Sequence, residues 1–248
     1  MSKAFFIDTS RCTACRGCQV ACKEWHELPA TKTRQRGTHQ NPVDLNPYTY
    51  KLVRFREHKV NDTVKWNFFP DQCRHCLEAP CKDVADNYVK GAVVRDEETG
   101  AIIYTELTKQ LPNKAFEEMR SDCPYDIPRR HDGTGLIVKC DMCIDRVSNG
   151  LLPMCVKTCP SGAMNFGARK EMLNMANKRL AVLKREYPKA QLVDEDDVNV
   201  IYLITEKPEF YHDFVLAQGF GAITRKAALA KLVSPVKAQL RPLQNLFA

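Results

Sequence analysis

An α+β architecture is expected of this chain: a core of repeated cysteine runs, interrupted by β-hairpins and closed by a helix-and-strand tail. Three features carry that expectation. Twelve cysteines stand in 248 residues, at 12, 15, 18, 22, 73, 76, 81, 123, 140, 143, 155 and 159, in tight clumps rather than spread along the chain. Between the clumps lie segments with the alternation of half-buried strands. After residue 168 the cysteines stop and helical periodicity takes over. Hydrophobic residues at 44% and charged residues at 27% fit a globular chain with a real core.

Residues 3–8 (K-A-F-F-I-D) read as a strand leading into the first cysteine loop. Segment 23–72 separates the first two runs. Its first half, through Arg34, Arg36, Gly37, Asn41, Pro42 and Pro47, reads as irregular surface chain. Its second half alternates: 48–56 and 64–69 predict two strands, with Asn61-Asp62 in the turn. Residues 91–105 predict another hairpin, G-A-V-V-R and A-I-I-Y-T joined by D-E-E-T-G, in which Gly100 suits the turn. Met172, Leu173, Met175, Ala176, Leu180, Val182 and Leu183 predict an amphipathic helix over 168–186, and V-N-V-I-Y-L-I at 198–204 a buried strand. Residues 223–240 read as a basic helix interrupted near Pro235. The cysteine run is the only internal repeat.

Cys12, Cys15, Cys18 and Cys22 have the C-x2-C-x2-C-x3-C spacing of a ferredoxin-type [4Fe-4S] run. Three sulfurs of such a loop reach three irons of one cube, and the fourth cysteine ligates the neighbouring cluster. A zinc site, with paired ligands from two knuckles, fits this spacing poorly. Cys140, Cys143, Cys155 and Cys159, followed by Pro160, form a stretched version that alone would pass for a treble-clef-like zinc site. Beside the first run it reads as that run's cross-partner. Cys73, Cys76 and Cys81 lack a fourth member, because position 85 is Ala85. Cys123 stands alone before Pro124; its upstream companions would fall at Asn113, Phe116 and Met119.

The crossing rule then assigns every cysteine. Cluster A takes Cys12, Cys15, Cys18 and Cys159; cluster B takes Cys22, Cys140, Cys143 and Cys155; cluster C takes Cys73, Cys76, Cys81 and Cys123. The positions left without cysteine form one complete set, so three [4Fe-4S] clusters are expected in a scaffold laid out for four. This gives a tandem ferredoxin-like core. Residues 1–30 with 130–167 form a two-cluster module and 70–129 a degenerate one-cluster module. Residues 31–69 are a β-rich insertion, and 168–248 a docking or support segment. A disulfide framework is disfavoured by the close spacing and the chain length.

The formal net charge is +7. Three cubes at about −2 each would leave roughly +1, so the basic balance requires no nucleic acid. Arg11, Arg16, Lys23, Arg74, Lys82 and Lys139, near the clumps, read as solvated surface charges, with tuning of cluster potential as the alternative. His75 reads either as a surface residue on a cysteine loop or as a group that tunes its cluster. His26, His39, His58, His131 and His212 show no ligand spacing, Trp25 reads as a packing residue, and Pro124 and Pro160 fix the chain direction after their cysteines. There is no nucleophile–base set, P-loop, G-x-G-x-x-G or C-x2-C-H, so catalytic residues are not expected. A zinc-stapled structural or nucleic-acid-binding module is the competing class. No apolar run approaches the roughly 18 residues of a membrane span, and neither a secretory nor a twin-arginine signal is visible.

These residues carry a resemblance over about residues 1–170. The order of runs resembles the four-cluster ferredoxin-like electron-transfer subunits that accompany molybdopterin oxidoreductases. D-x-S-R-C-T-A-C-R-G-C-Q at 8–19, T-H-Q-N-P at 38–42 and F-F-P-D-Q-C-R-H-C at 68–76 are similar, more closely, to the iron–sulfur (beta) subunits of soluble tungsten- or molybdenum-dependent formate dehydrogenases. So are C-P-Y-D-I-P-R at 123–129 and N-G-L-L-P-M-C-V-K-T-C-P at 149–160. The resemblance implies a non-catalytic subunit that relays single electrons from a molybdopterin catalytic subunit, in a heterodimer or larger assembly. The acceptor would be a soluble one such as a multihaem cytochrome c. It also implies periplasmic location by co-export with a catalytic subunit bearing the twin-arginine signal, a cytoplasmic complex being the alternative. Service to another molybdopterin oxidoreductase is the competing reading within this class. Membrane-bound relatives add a C-terminal transmembrane helix; the tail after 200 is too charged for one.

Overall fold

The computed structural model describes residues 2–217; the basic helix expected at 223–240 lies outside them. In chain order the elements are β1 (Lys3–Asp8), α1 (Gly17–Trp25), β2 (Leu52–Val60), β3 (Thr63–Asp71), α2 (Pro80–Asp86), β4 (Val93–Arg95), β5 (Ile102–Tyr104) and α3 (Asn113–Ser121). They continue with β6 (Arg129–Arg130), β7 (Ile137–Val138), α4 (Ile144–Val147), α5 (Met154–Lys157), β8 (Met164–Ala168), α6 (Arg169–Leu183), β9 (Gln191–Val193) and β10 (Val200–Ile204).

A four-stranded sheet in the order β8-β1-β10-β9 organises the molecule. Strand β1 pairs antiparallel with β8 and parallel with β10, so both of its edges are satisfied. Its run of apolar residues is unbroken because both faces are covered. Phe5 and Ile7 join the core with Phe69, Met142 and Tyr202, while Ala4 and Phe6 meet Met172, Ala176 and Leu183 of α6. Strand β10 divides in the same way, with Val200, Tyr202 and Ile204 on the first side and Ile201 and Leu203 on the second. Helix α6 shows a narrower apolar stripe than its periodicity suggests, since Met175 and Val182 are exposed.

The long hairpin β2–β3 turns at Asn61-Asp62, with φ of 49° and 62° at the two residues. Two left-handed residues in a two-residue loop match the right-handed twist of the strands, and Asn and Asp tolerate that region. The hairpin is longer than the alternation suggests. Its base, including Leu52, Val53 and Phe69, is buried, and its tip, with Val64 and Trp66, is exposed. In the β4–β5 hairpin Gly100 has φ +78°, and a Cβ there would meet the Asn199 side chain at 2.8 Å. Helix α1 packs on α5 and α2 on α3, which brings the cysteine runs together in pairs.

Candidate metal centre

The C-x2-C loops that open at Cys12, Cys73 and Cys140 share one backbone turn. The residue before the second cysteine is left-handed each time: Ala14 at φ 54°, His75 at 47° and Met142 at 69°. None is glycine, and each costs about 1 kcal/mol or more. The turn aims backbone N–H groups at sulfur. The His75 N–H donates to Cys73 Sγ at 3.4 Å, and the Ala14 N–H bonds Cys12 in the same relation.

The later cysteines sit on helices. Cys18 and Cys22 lie one turn apart on α1, Cys155 lies on α5 with Cys159 two residues past its end, and Cys81 lies on α2. The packing of α1 on α5 sets Cys18 against Cys155, and Cys22 against Cys155 and Cys143, while Cys12 interacts with Cys159 and Cys15. Cys140 interacts with Cys22 and Cys143. Cys73, Cys76, Cys81 and Cys123 line a single pocket with Tyr104 and Ile127. None of the twelve is in a disulfide.

The corresponding space between α2 and α3 is packed with hydrocarbon. Ala85 and Met119 are wholly buried there with Ala115, Leu111 and Ile137, and Phe116 packs against them. Asn113 turns aside to accept from the Arg130 guanidinium at 2.6 Å.

Burial pushes the Cys18 and Cys123 thiols up to about 12 and Cys155 to about 11, and raises Cys76 and Cys140 as well. At Cys159 burial is outweighed by bonds from the Ser161 hydroxyl and from backbone N–H groups, and the thiol is lowered. Such a set of crowded, buried thiols is held ionised by a metal rather than by the protein alone. The donors are all sulfur, as iron–sulfur clusters require. Two buried donors also lack an oxygen or nitrogen partner. The Tyr104 hydroxyl faces Cys81. The Ile102 N–H donates to His75 Nδ1 at 3.0 Å, which fixes the proton on Nε2, and that nitrogen has no partner. A sulfur acceptor would suit the Tyr104 hydroxyl. The residues present therefore fit iron–sulfur groups.

Several neighbours differ from the sequence reading. Arg74 is 1% exposed and lies against the rings of Phe69, Tyr125 and Tyr202 at 5.0, 4.9 and 4.3 Å. Lys139 is also buried, donating to the carbonyls of Ile102 and Cys140 and lying 4.6 Å from the Tyr104 ring centroid. Neither is a solvated surface charge, and His75 is wholly buried rather than on the surface. Arg11 and Arg16 do remain exposed, and Lys23 and Lys82 are half-buried. Trp25 packs beneath the Arg146 guanidinium at 4.3 Å and donates to Asp145 at 3.0 Å.

Lys51, Tyr104 and His26 carried no sequence signal. Ligand-bearing atoms of His26, Asp141 and Cys143 all lie within 4.8 Å of one another. Burial pulls His26 down, but its bonds to Asp141 and Cys22 outweigh that and lift it to about 11. Both ring nitrogens then donate, to the Cys22 carbonyl at 2.8 Å and to Asp141 at 3.0 Å, leaving no lone pair for a metal.

Residues 64–169 match the family model of a 4Fe-4S dicluster domain. The chain is 57% identical to "Formate dehydrogenase 2 subunit beta (cytochrome c-553)" of Nitratidesulfovibrio vulgaris (strain Hildenborough), over 86% of this chain and 98% of that protein. It is 53% identical to "Formate dehydrogenase subunit beta" of Megalodesulfovibrio gigas, over 88% of this chain and all of that one. It is 35% identical to "Formate dehydrogenase-O iron-sulfur subunit" of Escherichia coli (strain K12), over 84% of this chain and 69% of the relative. With its sulfur-lined loops and this likeness over nearly the whole of two relatives, the chain belongs to the family of iron–sulfur, or beta, subunits of formate dehydrogenase, the electron-transfer subunits of an oxidoreductase complex.

Proposed function

We propose that this chain relays single electrons through three [4Fe-4S] clusters between a molybdopterin catalytic subunit, carrying tungsten or molybdenum, and an external redox partner. The ligand sets are Cys12, Cys15, Cys18 and Cys159 for cluster A, Cys22, Cys140, Cys143 and Cys155 for cluster B, and Cys73, Cys76, Cys81 and Cys123 for cluster C. Residues 1–30 with 130–167 act as one module and 70–129 as a second, degenerate one; 31–69 is an insertion between them and 168–248 a support. The pairings α1 with α5 and α2 with α3 favour this division.

The observation that carries the cluster count is the hydrocarbon packed around Ala85 and Met119, which leaves the second module with one set of thiols. The clusters supply the one-electron chemistry. The chain's residues hold and tune them. Left-handed Ala14 and His75 turn N–H groups onto sulfur, which favours the reduced state. Ile102, Ile127 and Tyr125 wall the third site off from water. A cytochrome acceptor is favoured by the wording of one relative's name, cytochrome c-553. No helix among the described residues is long and apolar enough to cross a membrane, in keeping with a soluble acceptor. Export in company with a catalytic subunit bearing the twin-arginine signal would place the relay in the periplasm.

Iron, zinc and acid-labile sulfide per chain, measured on protein produced without oxygen, test this reading. About 12 iron and 12 sulfide with little zinc are expected. About 16 iron would return a fourth cluster to the degenerate module, and about three zinc without sulfide would overturn the relay altogether.

A further inference from the structure

Lys51 stands just before β2, and its side chain runs inward. It is 2% exposed and ranks among the largest fully buried side chains. An ammonium in such a place is strongly disfavoured unless an opposite charge answers it. Its two acceptors, Gln72 Oε1 and the Pro70 carbonyl (3.3 Å), are neutral. Among the described residues no carboxylate lies within ion-pair reach of it. Tyr202 is close, but its hydroxyl donates to the same Pro70 carbonyl at 2.7 Å and is held up at about 12, so it is neutral too. Tyr202, which shares the Pro70 carbonyl with Lys51, lies in the same buried core as Cys18 and Cys155, and these sulfurs with Cys140 are the ones that bear on the lysine.

Two other buried cations are answered differently. Arg74 has Asp71 at 3.2 Å and three aromatic rings around it, and Lys139 belongs to the pocket of the third site. Lys51 faces thiols assigned to two different clusters. Cys18 is a ligand of cluster A, and Cys155 and Cys140 are ligands of cluster B.

We propose that Lys51 is a fixed, buried counter-charge shared by clusters A and B, oriented by Gln72 and Pro70, which raises the midpoint potentials of both together. A cluster gains negative charge on reduction, so a cation held beside it without screening water favours the reduced form. One cation between two centres moves both in the same direction and keeps them level for passage of an electron. The proposal rests on the ligand sets given above.

The test is a redox titration followed by electron paramagnetic resonance on the full-length, anaerobically produced holo-chain, as wild type, Lys51→Met, Lys51→Gln and Lys51→Arg. Iron, sulfide and spin count of the wild type examine the ligand sets by themselves; three centres there leave the variants to examine Lys51. In Lys51→Met two of the three midpoints are expected to fall, so that the reduced-to-oxidised ratio at fixed potential drops at least tenfold, about 59 mV for one electron. The third should move less, and Lys51→Arg should return both towards wild type. Three unmoved midpoints, or only one moved, in an iron-replete Met or Gln variant would overturn the proposal. Loss of iron from Met and Gln variants but not from Arg would support it, because charge alone distinguishes them. Loss from all three would make Lys51 a packing residue and overturn it.

Discussion

At the scale of single residues, the chain concentrates charge inside. Asp71, 1% exposed, is shared by Arg54 at 2.8 Å, Arg74 at 3.2 Å and His212 at 3.9 Å. Removing the carboxylate would leave two guanidinium groups buried with less compensation. Asp71→Ala is expected to cost roughly 3–5 kcal/mol in anaerobic denaturant unfolding. His212 behaves oppositely to a paired histidine. Burial lowers it to about 4 despite the nearby carboxylate, which is already claimed by the two arginines. It is therefore neutral in the fold and takes up a proton on unfolding below about pH 6.5. Its contribution is complete above pH 6.5 and is lost as pH falls towards 4, amounting to as much as ~3 kcal/mol. In unfolding experiments between pH 7 and 5, His212→Phe should flatten the pH dependence; an unchanged slope would show that His212 is not the group responsible. The runs of cysteines were legible in the sequence because their short spacing is itself a local pattern. The buried cations were not. Arg74 and Lys139 next to cysteines look like any surface charge until Phe69, Tyr104, Tyr125 and Tyr202 arrive from distant segments.

At the scale of elements, α2 and α3 meet through a hydrocarbon contact. Met119 and Ala85 are both 0% exposed in that contact. Met119→Ala should cost ~2–5 kcal/mol through the cavity it opens, with the iron content unchanged. A loss of iron in step with stability would tie this packing to cluster retention instead. The alternation at 48–69 disclosed the long hairpin, and the run at 198–204 disclosed β10, because their side chains face contrasting surroundings or none that are wet. Strand β8 was not legible. Its M-N-F-G-A has no clear alternation, and the partner that makes it a strand is β1, at the other end of the cysteine-bearing region. Strands β6 and β7 are two residues each, below the length at which any pattern exists.

At the scale of the whole molecule, the apolar cores divide by whether they contain cysteine. The core between the sheet and α6 has none, whereas the cores around Phe5 and Tyr202 and around Tyr125 include Cys18, Cys155 and Cys73. Without clusters, the buried thiols of the second kind lose the partner that orders them. Chelation of iron is therefore expected to abolish the cooperative thermal transition. Hydrogen exchange should rise first in α1, α2 and α5 and last in α6 and its facing strands. Uniform protection after iron removal would show that the clusters are passengers in a fold stable by itself. The parallel pairing of β1 with β10 has a further consequence for how the molecule is made. Strand β1 is translated before every cysteine, yet both of its hydrogen-bonding partners, residues 164–168 and 200–204, are translated after every cysteine. The four-stranded sheet therefore closes only after the whole cysteine-bearing stretch has been translated.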